Sequence, residues 1–224
     1  MVNAEDKINK ILKELTGTYE NLLSLRDDIW IGLDHSSIEE VEIASEFQKQ
    51  YIRLLDQFSK NSEEIAALVS QFTGVKEKET PVVIDSKDYN NERIIKELNK
   101  EEPHSITEDF TYKKPYAIII ENCAYKGLEN WKDVYKQICK HLAKKNEKLF
   151  DSLSSNKELI SKQNKKYFTT DKKEIRRAEK ITEKTFVEMN LSANDFVKRI
   201  QEIFTVFKLQ KDDLTIYLRQ DRNA

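Results

Sequence analysis

Residues that could carry out chemistry are few and scattered along this sequence. One short string matches an element of many metal-dependent nucleases: the apolar residues 82–84 are followed by Asp85-Ser86-Lys87. In such a site the carboxylate binds a divalent ion and the lysine steadies the attacking water or the phosphate. Those nucleases also need a second acid on a preceding strand, where this sequence predicts helix. A surface turn is therefore the favoured interpretation, and no catalytic residue is assigned.

The histidines and cysteines do not form a motif for a metal or a nucleophile. His35, His104 and His141 fall in a predicted turn, a connection and a helix, so no two have the spacing of ligands on one helix face. Cys123 and Cys139 are the only two cysteines, which excludes a four-cysteine zinc site and a disulfide framework. The four glycines occur singly, so no phosphate-binding glycine loop is present. We therefore expect no cofactor and no bound metal.

A basic stretch at residues 140–184 is the strongest candidate for a binding surface. It contains 14 Lys and Arg against 7 Asp and Glu, a net charge of +7. Lysines attract phosphates without reading base sequence, and exposed aromatic rings stack on unpaired bases. The alternative is a solvated lysine-rich face. The residues expected to contact nucleic acid are Lys144, Lys145, Lys148, Lys165, Lys166, Tyr167, Lys172, Lys173, Arg176 and Arg177.

Charge is unevenly distributed along a nearly neutral chain. The net charge is -2, yet residues 1–80 carry 9 basic against 16 acidic residues, a net charge of -7. This asymmetry favours either attraction of an anionic partner by one half or attraction between the halves or their copies. A hydrophobic content of 38% with only four glycines and three prolines is typical of a helix-rich globular protein. With no apolar run of about 18 residues and no leader pattern, we expect a cytoplasmic protein without a membrane partner.

Two long amphipathic helices are predicted in the first third of the chain. Apolar residues recur at spacings of three, four and seven until Gly32, which indicates one helix and then a turn. Ser37 and Glu40 form a capping-box pattern for a second helix, and Gly74 ends it. A short turn between two such helices predicts a coiled-coil-like antiparallel hairpin at 1–75.

The hairpin should leave apolar surface exposed, because two helices alone cannot bury both of their apolar sides. It must then pack on the rest of the chain or on another copy, which would give a four-helix arrangement. A homo-oligomer is our first structural prediction, and a separate protein partner is the other. The residues expected at the oligomer interface are Leu15, Leu22, Tyr51, Leu54, Phe58, Ile65 and Phe72, with Asn61 as the polar exception.

The rest of the chain predicts a linker at 76–114 and a small α+β domain at 115–224. The linker is expected to hold a short strand and a helix near 91–99. The predicted strands are 116–120, 185–189 and 214–218, with a hairpin return near 125–127; short helices are expected at 149–153 and 172–178. Asn130 and Ser192 are predicted to cap two longer helices. Partly segregated strands and helices indicate an α+β fold with a small sheet covered on one face.

The C-terminal part of the chain, about its last 110 residues, resembles a small module of bacterial and phage proteins. The resemblance rests on the string from Thr185 to Asp195, the helix that follows, residues 214–219, and Trp131-Lys132-Asp133. Some of those proteins are encoded next to restriction or antiviral-defence genes. The resemblance implies a genomic neighbourhood and brings no catalytic residue with it.

These patterns favour a non-enzymatic, self-associating adaptor or regulatory protein, and the resemblance implies a link to bacterial defence or mobile elements. The hairpin would be its oligomerisation element, and the α+β domain its recognition module. A protein that binds nucleic acid through the basic stretch is the first alternative. A metal-dependent nuclease that uses Asp85 and Lys87 is the second.

Overall fold

The computed structural model describes residues 4–32, 37–75, 89–161 and 164–219, and the chain divides into two compact units. The first unit is Met1–Glu79 and the second is Thr80–Ala224. Two long helices form the first unit, and helices with two antiparallel sheets form the second. The predicted α+β class with an N-terminal helical hairpin is therefore confirmed.

The helices are α1 Ala4–Ile31, α2 Ile38–Thr73, α3 Tyr89–Leu98, α4 Trp131–Lys145, α5 Glu147–Ser152 and α6 Ala193–Phe207. The strands are β1 His104–Ser105, β2 Pro115–Ile120, β3 Cys123–Lys126, β4 Phe168–Thr169, β5 Ala178–Lys180, β6 Phe186–Glu188 and β7 Leu214–Leu218.

Local signals set the ends of α2. The Ser37 side chain accepts a hydrogen bond of 3.3 Å from the Glu40 amide, which satisfies one of the unpaired donors of the first turn. At the other end Gly74 adopts a left-handed conformation with φ of 71°, and its amide donates to the Ser70 carbonyl over 2.9 Å. Glycine adopts this conformation without steric cost, so the helix ends there.

Helices α1 and α2 pack against each other in antiparallel directions. The Tyr51 hydroxyl donates to the Leu22 carbonyl over 3.0 Å, and the rings of Tyr19 and Phe58 stack with centroids 6.3 Å apart. Later residues of α2 thus contact earlier residues of α1. The small buried core between the helices consists of Tyr19, Leu23 and Leu55.

The larger sheet of the second unit has the strand order β1-β7-β2-β3 and is covered on both faces. Alternation along β2 directs Ile118 and Ile120 to the main core, which also includes buried residues of α4 and α6. It directs Ala117 to the opposite face, against Ile94 and Leu98 of α3. The expectation of a sheet covered on one face only is therefore wrong.

Residues 89–114 belong to the second unit, which differs from the predicted linker at 76–114. Helix α3 covers one sheet face, and β1 pairs with β7. Ile106 and Phe110 are fully buried in the main core. The predicted strand at 82–84 lies outside the described residues.

The second sheet has the strand order β4-β6-β5. Its strands β4 and β5 lie within the basic stretch, where the sequence predicted a short helix at 172–178. Only a single 3₁₀ turn, Lys172–Glu174, forms before β5. The reason is a contact distant in sequence: the buried Glu188 carboxylate accepts hydrogen bonds of 2.8 and 3.0 Å from the amides of Arg176 and Arg177. These bonds hold the segment that precedes β5 next to β6. The local preference of residues 172–178 for helix is therefore overridden.

A two-residue turn joins β2 to β3. Glu121 and Asn122 have φ angles of 46° and 65°, and Ile120 pairs directly with Cys123, as in a type I′ hairpin. The buried Asn91 side chain of α3 holds this turn. Its amide donates to the Asn122 carbonyl over 2.8 Å, and its carbonyl oxygen accepts from the Ala124 amide over 2.8 Å.

We predict that Asn91→Ala lowers the free energy of unfolding of the second unit by about 1–3 kcal/mol, because the buried Ala124 amide and the Asn122 carbonyl lose their partner. Urea unfolding of the full chain measures this loss. Lys96→Ala on the exposed side of α3 is the matched control and should change the free energy by less than about 0.5 kcal/mol. Equal urea midpoints for Asn91→Ala and the control would contradict the stabilising role of Asn91 at the β2–β3 turn.

Candidate functional site

An exposed apolar stripe runs along α2. With the helical turn of about 100° per residue, its side chains fall within a sector about 60° wide. The stripe consists of Ile43 (72% exposed), Phe47 (38%), Leu54 (57%), Ile65 (47%), Leu68 (67%) and Phe72 (90%). The polar Gln50 and Asn61 lie in the same sector and interrupt the stripe. An exposed stripe of six large apolar side chains on a long helix indicates a surface that contacts another apolar surface.

Helix α1 carries a second stripe on the same side of the hairpin. It consists of the exposed Ile11 and Leu25 and the half-buried Leu15, Leu22 and Ile29. In each helix the stripe lies about 90° around the helix axis, in the same sense, from the side that packs against the other helix. Because the helices are antiparallel, equal rotations put both stripes on one side. We call the two stripes together the apolar face.

The residues predicted for the oligomer interface divide into two groups. Leu54, Ile65 and Phe72 are exposed on the apolar face, and Leu15 and Leu22 lie at its inner margin. In contrast, Tyr51 and Phe58 contact α1 within the hairpin. Whether the exposed residues contact another copy stays a prediction.

Helix geometry explains this division and the residues that the sequence analysis missed. A seven-residue step falls about 20° short of two full turns, so a strict heptad series drifts around the helix surface. Along α2 the series begins at Ala44, 5% exposed, passes through the half-buried Tyr51 and Phe58, and ends at Phe72, 90% exposed. The predicted interface residues therefore came from two different stripes, and they did not include Ile43, Phe47 and Leu68 of the exposed one.

The basic stretch is structured, and part of its charge is balanced. Lys145 forms an ion pair with Glu121, and Lys166 contacts Glu174 at 2.5 Å. Other predicted contact residues, namely Lys144, Lys148, Lys165, Lys172, Lys173 and Arg176, have exposed side chains, and Arg177 is half-buried. Contact of these residues with nucleic acid stays a prediction.

Tyr167 must be corrected from a predicted contact residue to a core residue. It is 9% exposed, and the guanidinium carbon of Arg199 lies 4.0 Å from its ring centroid. The Lys165 ammonium lies 5.0 Å from the same centroid. These cations bind the ring through cation–π contacts, so the ring is not available to stack on a base.

The nuclease-like string with Asp85 and Lys87 lies outside the described residues. Within the described ranges, no group of three or more His, Cys, Asp or Glu side chains could hold a metal ion. None of the helices in those ranges is both long enough and apolar enough to cross a membrane.

A relay of polar side chains joins the β2–β3 hairpin to α4. The Tyr125 hydroxyl lies 2.8 Å from His141 Nδ1, and His141 Nε2 lies 3.2 Å from the Glu121 carboxylate, which also pairs with Lys145. These contacts fit a neutral imidazole that accepts from Tyr125 and donates to Glu121. The sequence analysis missed the relay because its members come together only through folding of the hairpin onto α4.

A hydroxyl, an imidazole and a carboxylate in series can activate a nucleophile, but the contacts in this series have a structural role. Tyr125 is 2% exposed, and burial raises the pKa of its hydroxyl to about 12. The hydroxyl is therefore neutral and shielded at physiological pH. The relay fastens the turn at Glu121 to α4 through His141.

We predict that the stability of the second unit falls between about pH 7.5 and 5.5, and that His141→Gln flattens this dependence. Burial lowers the pKa of His141 below its ordinary value of 6.5, so the unfolded chain takes up the proton first. The pKa of Glu121 is also lowered; burial alone would raise it, but hydrogen bonds from Lys145 and His141 outweigh burial. Protonation of Glu121 therefore affects stability only at pH values below the range in which His141 titrates.

Urea unfolding of both proteins across the window measures the effect. Parallel stability profiles for the wild-type protein and His141→Gln would show that His141 is not the titrating group. A steeper profile for the variant would reverse the predicted sign.

No protein-family model, curated protein or solved structure matches the chain. The resemblance of the C-terminal part of the chain to a bacterial and phage module therefore stays a prediction. The described residues offer one surface without an evident structural role inside its own unit, and that surface is the apolar face of the hairpin.

Proposed function

We propose that this protein is a non-enzymatic, self-associating adaptor that assembles through the apolar face of its hairpin. The exposure of six large apolar side chains along one side of α2 is the observation that carries the proposal. Removal of such side chains from water is worth about 25 cal/mol for each Å² of apolar surface. Two hairpins that meet through this face would form a four-helix bundle.

The dimensions of the face support a second copy as the occupant. The stripe on α2 extends over about 43 Å and that on α1 over about 27 Å, at 1.5 Å per residue. With a width of about 10 Å for each helix, one copy offers about 700 Å², close to the roughly 800 Å² per partner of a stable interface. A pair of antiparallel helices with one apolar side also has the shape of half a bundle.

The second unit is proposed to be the recognition module of the adaptor. Its relay of Tyr125, His141 and Glu121 is committed to structure, which supports a role without catalysis. A link to bacterial defence or mobile elements rests only on the resemblance of the C-terminal part of the chain.

Nucleic-acid binding is the second candidate function. The exposed side chains of Lys144, Lys148, Lys172 and Lys173 favour it. Against it stands the loss of Tyr167 as a stacking residue, and the ion pairs of Lys145 and Lys166 reduce the available charge. Steep weakening of binding by salt would be its signature.

We predict that the full chain elutes at twice its own mass or more in size-exclusion chromatography with light scattering, and that Leu54→Lys/Leu68→Lys elutes as a monomer. Both leucines are more than half exposed in the hairpin, so the substitutions leave its internal contacts intact. The loss of apolar burial should raise the dissociation constant at least about a hundredfold.

Ser45→Lys/Ala67→Lys is the matched control, because it adds the same charge to exposed positions of α2 outside the apolar face. It should assemble like the wild-type protein. Circular dichroism should show equal helix content in all three proteins. A wild-type chain that is monomeric at micromolar concentration would overturn the proposal, and a salt-sensitive shift on addition of nucleic acid would favour the alternative.

A further inference from the structure

The positions of the apolar stripe of α2 are symmetric about its midpoint, which lies between residues 57 and 58. Ile43 and Phe72 are equidistant from this point, and so are Phe47 and Leu68, whereas Leu54 and Ile65 have the polar Asn61 and Gln50 as their counterparts. When a helix packs against a second copy of itself in the antiparallel direction, each residue meets the one equidistant from the centre. The two ends of the stripe are therefore self-complementary, as a two-fold interface requires.

The stripe of α1 shares this centre. Ile11 and Ile29, and likewise Leu15 and Leu25, are equidistant from Glu20. The stacked rings of Tyr19 and Phe58 place Glu20 of α1 level with the midpoint of α2. One axis perpendicular to the helices at this level therefore relates both stripes to their copies.

Charged residues beside the α2 stripe are also complementary when two copies of α2 pack in antiparallel directions. Arg53 and Glu64 are exposed on the edge of the apolar face that points away from α1. They are eleven residues apart, about 16 Å along the helix, which is too far for an ion pair within one chain. In an antiparallel pair, Arg53 of each copy lies within about one helical turn of Glu64 of the other.

From this symmetry we infer that two copies pair with α2 antiparallel to α2 about an axis between Gln57 and Phe58. The inference rests on the proposed function, since it specifies how the same face assembles. The apolar pairs place Phe47 against Leu68 of the second copy, and Asn61 lies beside Leu54.

This arrangement places the C-terminal ends of the two hairpins at opposite ends of the dimer. Each chain leaves its hairpin after Thr73. In the antiparallel pair the two Thr73 residues lie at opposite ends, about 46 Å apart along the helix axis. The alternative two-fold axis, parallel to the helices, would place both exits at the same end. The assembly therefore carries two copies of the second unit, and simultaneous binding of both to one partner would add avidity.

A charge exchange tests the pairing. Arg53→Glu alone puts like charges together at two symmetric places and should weaken the dimer about tenfold, and so should Glu64→Arg alone. The double variant Arg53→Glu/Glu64→Arg restores opposite charges and should bind within about twofold of the wild-type protein. Sedimentation equilibrium of the full chain at low salt measures these constants. A double variant as weak as either single variant would overturn the inference.

Spin-label distances give an independent test in the full chain with Cys123→Ser. Labels at Gln57→Cys should lie less than about 20 Å apart across the dimer, and labels at Gln71→Cys about 40 Å apart. Equal short distances at both positions would indicate the parallel axis and overturn the inference, while the proposed self-association would stand. The absence of any inter-chain distance, with a monomeric mass, would instead overturn the proposed function.

Discussion

The mismatch between the helical repeat and a seven-residue apolar repeat governs the first unit. Helix α2 is 36 residues long, and over that length a strict heptad series turns by about 20° per heptad away from its starting direction. One neighbouring helix cannot cover the whole series. Ala44 is therefore buried, whereas Phe72 of the same series is exposed. The exposed apolar face is thus a consequence of a long helix with a single partner, and its burial requires a further surface.

The second unit uses its polar side chains differently, because most of those at buried positions hold loops in place. Asn91 binds both sides of the β2–β3 turn, and Glu188 binds the approach to β5. Asp151 accepts hydrogen bonds from the hydroxyls of Thr182 and Thr185. A domain with many irregular segments needs such bonds, since buried backbone and side-chain groups without partners are costly. These residues resemble functional residues in type, yet their contacts are structural.

The predictable parts of this protein are those controlled by neighbours in sequence. The caps at Ser37, Gly74 and Asn130 depend on residues within one turn, and sequence reasoning located them correctly. It could not foresee that α3 covers the second face of the sheet, or that Arg199 covers Tyr167, because those contacts join distant segments. The apolar face was predicted in part. The sequence located the helix that carries it, but a seven-residue repeat does not indicate which of its residues the neighbouring helix covers.

The uneven charge of the chain gives the two candidate functions opposite responses to salt. Residues 1–80 carry a net charge of -7, so paired hairpins repel each other overall even though Arg53 and Glu64 match locally. Added salt screens this repulsion and strengthens the burial of apolar side chains, and it should favour assembly. Binding of nucleic acid by the basic stretch would release counterions and weaken as salt rises. An association that grows stronger with salt therefore has its origin in the apolar face of the hairpin.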